Sequence, residues 1–184
     1  MTIRAPRASD IDAYAAAVRR SADHISPWNP LEPDGLPDLL QRQGQGLRTF
    51  LLINADDAGL VGKCNVANIA MARFCNATLG YDSYLPYAGT GRMSEGMRLV
   101  VDRCFSPTTA GGLGLHRLEI NVQPDNTRSV ALAKRLGFRL EGYSPRMLYI
   151  NGAWRDHERY ALTAEEWPGL EGPRKIFGRR GPSE

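Results

Sequence analysis

The chain has 184 residues, of which 42% are hydrophobic and 23% are charged, and its formal net charge is +3. These values are typical of a soluble globular protein with one domain and a sizeable core. A net charge this small does not indicate nucleic-acid binding. No apolar run is long enough to span a bilayer and the N-terminus does not resemble a signal peptide, so we expect a cytoplasmic protein with no membrane association.

Cysteine usage excludes two further classes. Cys64, Cys75 and Cys104 are odd in number and widely spaced, and the three histidines lie far from them in the sequence. Neither a zinc site nor a disulfide framework is predicted from this spacing. We therefore expect reduced thiols and no bound metal.

The chain opens with a predicted amphipathic helix. Ser9-Asp10 precede apolar residues at helical spacing, which predicts an N-capped helix ending near Arg20. Residues 24–37 contain four prolines and are predicted to form an irregular connection, followed by one short helical turn within 39–46. Trp28 in this connection either packs on the core or lines a substrate entrance.

Three strands are predicted next. Residues 47–53 and 60–69 are rich in apolar residues and flank the turn sequence Asp56-Asp57-Ala58-Gly59, which predicts an antiparallel hairpin. Residues 76–85 are predicted to form the third strand.

A helix, a strand and a second helix follow. Residues 91–105 have apolar side chains at helical spacing, and residues 116–122 alternate between apolar and polar side chains. Asn126 is the predicted N-cap of a helix that ends at Leu136, with Gly137 as its left-handed terminating residue.

The last predicted elements form a hairpin. Residues 138–150 and 155–162 are predicted strands, and Asn151-Gly152 between them is a strong two-residue turn signal. A helical crossover joins the strands at 76–85 and 116–122, so these two should be parallel and the others antiparallel. The predicted fold is a mixed α/β sheet and not a Rossmann fold.

A glycine loop precedes the helix at 91–105. Gly89 and Gly91 allow a sharp turn or a close ligand approach, although a plain tight turn explains such a pair as well. The amides of residues 89–93 lie at a helix N-terminus, which favours an anion, and Arg92 and Arg98 add positive charge. The loop has neither the Walker pattern nor the full dinucleotide fingerprint.

A second motif begins at Asn126. Alone, Asn126 is an ordinary helix cap, but it follows a strand parallel to the one before the glycine loop. Ligands of such sheets gather at the carboxyl ends of parallel strands, so Asn126 and Ser129 should lie near that loop. The two motifs together predict a site for an extended, phosphorylated cofactor.

The combined motifs resemble the GNAT-type N-acetyltransferases, and within them the RimJ/RimL branch of ribosomal-protein alanine N-acetyltransferases. The resemblance covers roughly residues 8–167 and implies a mostly antiparallel sheet with two splayed parallel strands and flanking helices. The motifs that carry it are Leu79-Gly80-Tyr81, Gly89-Thr90-Gly91, His116-Arg117-Leu118-Glu119, Asn126-Thr127-Arg128-Ser129, Leu136-Gly137-Phe138 and Glu141-Gly142, with Ser26-Pro27-Trp28-Asn29-Pro30 and Asn151 to His157 for the branch.

The resemblance implies acetyl-CoA as co-substrate, without a metal. The strand edge near Tyr84-Leu85 would bond its pantetheine arm, Asn126 would bond the pantetheine amides, and its pyrophosphate would lie on the glycine loop. The cofactor-binding residues implied are Tyr84, Leu85, Gly89, Thr90, Gly91, Arg92, Met93, Asn126 and Ser129. The family's basic or glutamine residue at the start of the loop is Pro86 here, and the segment between Trp28 and Leu47 is shorter than in RimJ-type proteins.

Two side chains are predicted to act in catalysis. Glu119 interrupts the apolar pattern of a central strand and is the predicted base, with an ion pair to Arg117 as its structural alternative. Asp82 and Asn121 are secondary candidates for the base.

Ser129 lies one helical turn after Asn126 and matches the serine that protonates the leaving thiolate in RimL-like enzymes, and Tyr143 is the alternative. The predicted reaction is therefore acetyl transfer to a primary amine, with the α-amino group of a ribosomal protein as the leading acceptor. Alternatives are a small-amine acetyltransferase and a non-catalytic acyl-CoA-binding protein on ribosomes or RNA.

The domain is predicted to span residues 1–168. Residues 169–184 contain four positive charges with glycine and proline, which predicts a flexible basic tail. This tail either does nothing specific or makes a weak contact with RNA or the ribosome. A monomer and a homodimer are both compatible with the sequence.

Overall fold

The computed structural model describes residues 1–44 and 46–172. The described strands are β1 (Thr2–Arg4), β2 (Leu47–Ile53), β3 (Leu60–Ala70), β4 (Asn76–Ser83), β5 (Arg117–Val122), β6 (Arg139–Ile150) and β7 (Ala153–Thr163). The described α-helices are α1 (Ile11–Arg20), α2 (Ala22–Ile25), α3 (Leu36–Gln41), α4 (Arg92–Phe105) and α5 (Thr127–Arg135), with short 3₁₀ turns at Ala8–Asp10, Thr108–Ala110 and Ala164–Glu166.

The strands form one mixed sheet in the order β1-β2-β3-β4-β5-β7-β6. Only β4 and β5 are parallel among the described pairs, and α4 provides the crossover between them. The predicted fold is confirmed, since a parallel pair needs a long crossover whereas hairpins suffice for the rest. Strand β1 was not predicted, because three residues are too few to show a pattern.

The parallel pair β4–β5 is short, and its two strands then separate. Their register runs only from Asn76 opposite Arg117 to Thr78 opposite Glu119. Residues 79–83 of β4 and 120–122 of β5 therefore have no partner in each other. The two strands diverge toward their carboxyl ends and leave a wedge in the middle of the sheet.

Each face of the sheet carries its own apolar core. Leu51 and Leu52 are neighbours on β2, and their side chains enter different clusters because side chains alternate along a strand. The cluster on one face contains apolar residues of α4 and α5, and the cluster on the other contains residues of α1, α2 and α3. The wedge is therefore flanked by α4 and α5 on one side and by the N-terminal helices on the other.

Most predicted boundaries agree with the structure to within about two residues, the scatter normal for helix ends. Gly137 has φ +94° directly after the end of α5, as its left-handed role predicted. Asp10 precedes α1 but does not cap it, because its carboxylate accepts hydrogen bonds from the Arg4 guanidinium and the Arg7 amide. The connection predicted as irregular at 24–37 includes the end of α2, and α3 begins at Leu36, three residues before the predicted turn at 39.

The chain beyond the last 3₁₀ turn still packs on α4. The Arg98 guanidinium lies 5.2 Å from the Trp167 ring centroid and donates hydrogen bonds to the carbonyls of Gly169 and Leu170. The packed unit thus extends slightly past the boundary predicted at residue 168. The rest of the predicted tail, residues 173–184, lies outside the described residues.

Three further findings concern the described residues alone. Cys64, Cys75 and Cys104 are free cysteines, and the first and last of them are buried. No group of three or more potential metal ligands occurs within residues 1–44 and 46–172. In the same ranges, no helix combines the length and apolar character needed to cross a membrane.

Candidate active site at the wedge

A cleft with a volume of about 340 Å³ lies at the wedge between β4 and β5. Residues from both faces of the sheet line it, so the cleft runs through the sheet. The lining residues are His24, Ile25, Trp28, Asn29, Tyr81, Asp82, Ser83, Ala88, Gly89, Gly91, Met93, Ser94, Asn126, Arg128, Ser129, Ala131, Leu132 and Arg135.

The glycine loop forms one end of the cleft. Gly89 has φ +83° and Gly91 has φ +88°, and a Cβ atom at either position would meet no atom within 4 Å. The glycines are therefore needed for backbone conformation, because side chains disfavour this left-handed region. Gly91 also immediately precedes α4, whose first amides have no intrahelical partner. These amides and the helix dipole make the loop suited to a phosphate.

Two polar side chains of this loop are occupied outside the cleft. The Arg92 guanidinium pairs with Asp56 at 2.6 Å and Glu95 at 3.4 Å, and the Thr90 hydroxyl donates to the Tyr87 carbonyl at 2.6 Å. Neither Arg92 nor Thr90 lines the cleft, so the anion site of the loop rests on backbone amides.

Positive side-chain charge comes instead from α5, through Arg128 and Arg135. Arg128 donates to His24 Nδ1 at 3.1 Å, so the contact joins α5 to α2 across the wedge. Burial and the nearby Arg128 charge lower the pKa of His24. His24 is therefore a neutral hydrogen-bond partner that leaves the Arg128 charge uncompensated at this contact.

Asn126 and Ser129 lie together beside the glycine loop. The Asn126 side chain caps α5 by accepting the Ser129 amide at 3.2 Å. The Ser129 hydroxyl lies 2.7 Å from the Tyr81 hydroxyl, which reaches across from β4. Burial raises the pKa of Tyr81 to about 12, so this phenol keeps its proton at neutral pH. Tyr81 can then donate to Ser129 and leave the serine hydrogen free to point into the cleft.

Tyr84 and Leu85 lie beyond the residues that line the cleft. The Tyr84 side chain is fully buried, and its amide donates to Val61 of β3 at 2.8 Å. The Leu85 amide donates to the Ser21 hydroxyl at 2.9 Å. Both amides therefore already have protein partners, which leaves neither free to bind a pantetheine arm as predicted.

The alternation of β4 assigns the open strand edge to other residues. The main chain of Tyr84 faces β3, so the main-chain groups of Tyr81 and Ser83 face the wedge. The Ser83 hydroxyl also lines the cleft and is buried without a hydrogen-bond partner among the described residues. Because buried polar atoms are normally paired, this hydroxyl fits a bound ligand with polar atoms.

The other end of the cleft contains a buried ion pair. Asp82 is 4% exposed, and its carboxylate lies 3.2 Å from the Lys63 ammonium and accepts a 2.7 Å hydrogen bond from the Asn29 side chain. Lys63 also lies 5.7 Å from the Tyr14 ring centroid. The network joins α1, β3, β4 and the connection after α2.

The connection after α2 is held at three places. Asn29 donates to Asp82, the Gln123 side chain donates to the Trp28 carbonyl at 3.3 Å, and Asn151 donates to the Ser26 carbonyl at 2.8 Å. These partners lie on β4, after β5 and in the β6–β7 turn. Trp28 lines the cleft and is partly exposed, which matches the predicted substrate-entrance alternative.

Glu119 is not brought to the cleft. Its carboxylate accepts a 2.8 Å hydrogen bond from Arg117, and Arg117 also pairs with Glu141. The hydrogen bond to Glu141 raises the pKa of Arg117. Glu119 thus has the ion-pair role that was its structural alternative, on the strand face opposite buried Leu118.

The other predicted candidates also lie away from the cleft lining. Tyr143 is 53% exposed and donates to Asp156, which raises the pKa of the phenol. Asn121 does not line the cleft, although its side-chain oxygen is buried without a partner among the described residues. Of the catalytic candidates, the structure brings Ser129 and Asp82 together at the wedge.

Sequence reasoning missed four side chains of the cleft. Tyr81 and Ser83 were predicted only as residues of the strand at 76–85, and His24 only as part of the irregular connection at 24–37. Arg128 was part of the quoted motif but received no role. A signal existed for Arg128, whose place in the first turn of α5 puts it beside Ser129, while His24 had none because its partner is 104 residues away.

Comparison with known proteins shows the family and the fold. The sequence model of the acetyltransferase (GNAT) domain matches residues 1–139. The ribosomal protein uS5-alanine N-acetyltransferase of Escherichia coli is 32% identical over 175 residues, which cover 87% of each chain. Mycobacterium smegmatis RimJ, solved in complex with CoA-disulfide, has a TM-score of 0.79 at 28% identity and is matched over 90% of this chain and 83% of that chain.

A more distant structure shares the fold. Spermidine N-acetyltransferase from Vibrio cholerae, solved with CoA and spermine, has a TM-score of 0.71 at 22% identity, with 90% of this chain and 96% of that chain covered. At this identity, the likeness concerns the fold alone.

Proposed function

This chain belongs to the GNAT acetyltransferases, and we propose that it transfers the acetyl group of acetyl-CoA to the N-terminal α-amino group of a protein. The observation that carries the proposal is the cleft through the sheet, with the glycine loop and Ser129 on one side and an open acceptor side on the other. The E. coli relative, whose name specifies an alanine of a ribosomal protein, supports a protein acceptor.

The charge of the cleft favours a peptide over a polyamine. Asp82 is the single carboxylate among the described lining residues, and Lys63 already pairs with it. Arg128 and Arg135 add positive charge to the same lining. A polycation such as spermidine would meet repulsion there, whereas a peptide terminus brings only one amine.

Acetyl-CoA supplies an acetyl thioester that a neutral amine can attack. The residues suited to hold it are the amides of the glycine loop for the pyrophosphate and the wedge-facing main chain of Tyr81 and Ser83 for the pantetheine arm. Asn126, Arg128 and Arg135 on or next to α5 complete this side of the cleft. The unpaired Ser83 hydroxyl and the unobstructed glycines fit such a ligand.

A protein α-amino group can react in a site that has no strong general base. Its unperturbed pKa is about 7.7–8.0, against about 10.4 for a lysine, so its neutral form is far more abundant near neutral pH. The enzyme therefore needs mainly to orient this amine and to stabilise the thiolate that leaves.

Ser129 is proposed to protonate or hydrogen-bond that thiolate. Its hydroxyl is held at 2.7 Å by Tyr81, and both side chains line the cleft beside Met93 at the start of α4. Since Tyr81 stays protonated, it can hold Ser129 in the donor orientation throughout.

Contacts with a ribosome or RNA belong to the predicted tail at 169–184, of which residues 173–184 lie outside the described residues, and stay a prediction. A cytoplasmic location and a monomeric or homodimeric state are also predictions.

The test is thiol release from acetyl-CoA with peptides that differ only in residue one, together with spermidine. The matched control is the alanine-initiated peptide with a blocked N-terminus and an internal lysine. We expect turnover of the peptides with a free N-terminus, and faster turnover when their first residue is alanine or serine. Turnover of only spermidine, or of only the blocked peptide, would reject the protein α-amine as acceptor.

A further inference from the structure

The buried pair Lys63–Asp82 needs an explanation that stability does not supply. The side chains are 5% and 3% exposed, and removing two charges from water costs as much as their attraction returns in many proteins. A buried ion pair whose carboxylate lines a cleft is thus a candidate for a functional group. The Lys63 and Asp82 side chains lie on the face of the sheet that Ser129 does not occupy.

Asp82 and Tyr81 are consecutive on β4, so their side chains point to opposite faces of the sheet. Tyr81 packs against the core beneath α4 and α5 and contacts Ser129. Asp82 contacts Asn29 and Lys63 on the side of the N-terminal helices. Both residues line the cleft at the wedge. Tyr81 lies on the side of Ser129, where the thioester is proposed to bind, and Asp82 lies on the opposite side, where the acceptor is proposed to enter.

The Asp82 carboxylate has unused hydrogen-bonding capacity. Each oxygen has one partner among the described residues, Asn29 for Oδ1 and Lys63 for Oδ2. An ionised carboxylate has about four lone-pair sites, so further N–H groups can bind from the cleft. Asn29 and Lys63 hold the carboxylate in one position, whereas an exposed aspartate without such partners would be mobile.

We propose that Asp82 is the catalytic residue that binds the attacking amine and accepts its proton, with Lys63 and Asn29 as positioning residues. The proposal rests on the proposed acetyl transfer and names the group that acts on the acceptor side. The C–N bond forms as the C–S bond breaks. One amine proton passes to the Asp82 carboxylate, which releases it to solvent. The leaving thiolate takes the proton of the Ser129 hydroxyl, which regains a proton from solvent.

Neighbouring groups are less suited to this role. Glu119 is paired with Arg117 outside the cleft lining. The His24 Nδ1 atom accepts from Arg128, so in the neutral ring the other nitrogen carries the hydrogen and no free lone pair is left.

The titratable and charged groups around Asp82 come from several elements. They are Lys63 on β3, Tyr14 on α1, Tyr84 at the end of β4, and His24 and Arg128 across the cleft. Burial and the Asp82 charge raise the pKa of Tyr84, so this phenol stays neutral at neutral pH.

The test uses the full chain with both charges of the pair removed, Lys63→Met with Asp82→Asn. A single Asp82→Asn change would leave a buried ammonium without a partner and destabilise the fold. The matched control is Arg42→Met with Asp38→Asn, an exposed pair on and just after α3 at 3.5 Å. Thermal melting and acetyl-CoA binding establish that each variant is folded and loads the donor.

The expected result is a loss of about 100-fold in kcat/KM for the acceptor near neutral pH, the size typical of a lost general base. Acetyl-CoA affinity should change less than about twofold, because Asp82 lies on the acceptor side. The loss should shrink as the pH rises, because hydroxide and buffer bases can then take the amine proton that Asp82 no longer accepts. A purely structural role would give the same loss at every pH.

A folded variant that binds acetyl-CoA and keeps kcat/KM within about threefold of wild type overturns the proposal, since a lost base costs far more. A loss that does not change with pH overturns it as well. The measurement is made with whichever amine wild type acetylates. If that amine is not a peptide terminus, the proposal of a protein acceptor fails, but the same measurement still tests whether Asp82 accepts the amine proton.

Discussion

The two sides of the cleft differ in how their polar groups are arranged. On the side of α4 and α5, the glycine loop offers backbone amides, and Ser129 and Ser83 offer hydroxyls. On the side of the N-terminal helices, Asp82, Lys63 and Asn29 already bond one another, and three elements hold residues 26–29.

This difference teaches how each side selects its ligand. The glycine-loop side presents unpaired donors that suit a common anionic co-substrate, and much of its geometry is backbone. The Asp82 side is preorganised by side chains from distant parts of the chain, which suits selection of one acceptor and orientation of its amine. Substitutions on the two sides should therefore separate turnover from donor affinity.

The largest effect on the glycine-loop side is expected from Ser129→Ala. Loss of the hydroxyl should lower kcat about 100-fold, because the thiolate loses its proton donor. Acetyl-CoA affinity should change little, since the loop amides are intact. Tyr81→Phe should give a smaller loss in the same direction, because Ser129 stays but is no longer held.

The measurement for both variants is steady-state kinetics together with calorimetric acetyl-CoA binding. Ser106→Ala, after the end of α4 and outside the cleft, serves as the inert serine control. Unchanged kcat in a folded Ser129→Ala protein would remove Ser129 from the mechanism.

A second, intermediate effect is expected from Gly91→Ala. A Cβ atom fits sterically, but φ +88° is a strained conformation for alanine, so the loop should rearrange. A strain of about 1–2 kcal/mol corresponds to roughly tenfold weaker acetyl-CoA binding.

Gly152→Ala is the matched control, with φ +76° in the β6–β7 turn and the same free space around the added atom. Both variants should lose similar stability in chemical unfolding, but only Gly91→Ala should lose acetyl-CoA affinity. Equal affinity in the two variants would mean that the loop does not hold the co-substrate.

The smallest effect is expected from Glu119→Gln. Its carboxylate pairs with Arg117 at a side-chain exposure of 33%, so the free energy of unfolding should fall by less than about 1 kcal/mol. Acceptor kcat/KM should stay within about threefold of wild type, well below the cost of a lost base. A loss near that of the Asp82 variant, with acetyl-CoA binding kept, would return the base role to Glu119.

Local signals were enough to predict most of the elements and the glycine loop. Positive φ at Gly89, Gly91 and Gly137 follows from glycine chemistry, and the Asn126 cap follows from a short-range bond to Ser129. The parallel pair was predictable too, because a helix separates its strands. The pantetheine contact was predicted at Tyr84 and Leu85, because the sequence does not show which main-chain groups of this strand face β3.

Sequence reasoning named Arg117 as the alternative partner of Glu119, but it could not decide which carboxylate lines the cleft. Glu119 and Asp82 both lie on central strands, and no local pattern shows which of them faces the cleft. Register and face decide the difference: Glu119 lies beside Arg117 and Glu141, whereas Asp82 lies opposite Lys63 on β3 and under Asn29.

The sequence by itself determined the mixed sheet, the glycine loop and the capped helix that carries Ser129, because these depend on periodicity, glycine conformation and spacing within a few residues. Only the tertiary structure decided where β4 and β5 separate, that Tyr81 meets Ser129 across the wedge, and that Asp82 meets Asn29, which is 53 residues away. Such contacts depend on strand register and on the face each side chain takes, and a one-residue shift in register would reverse both.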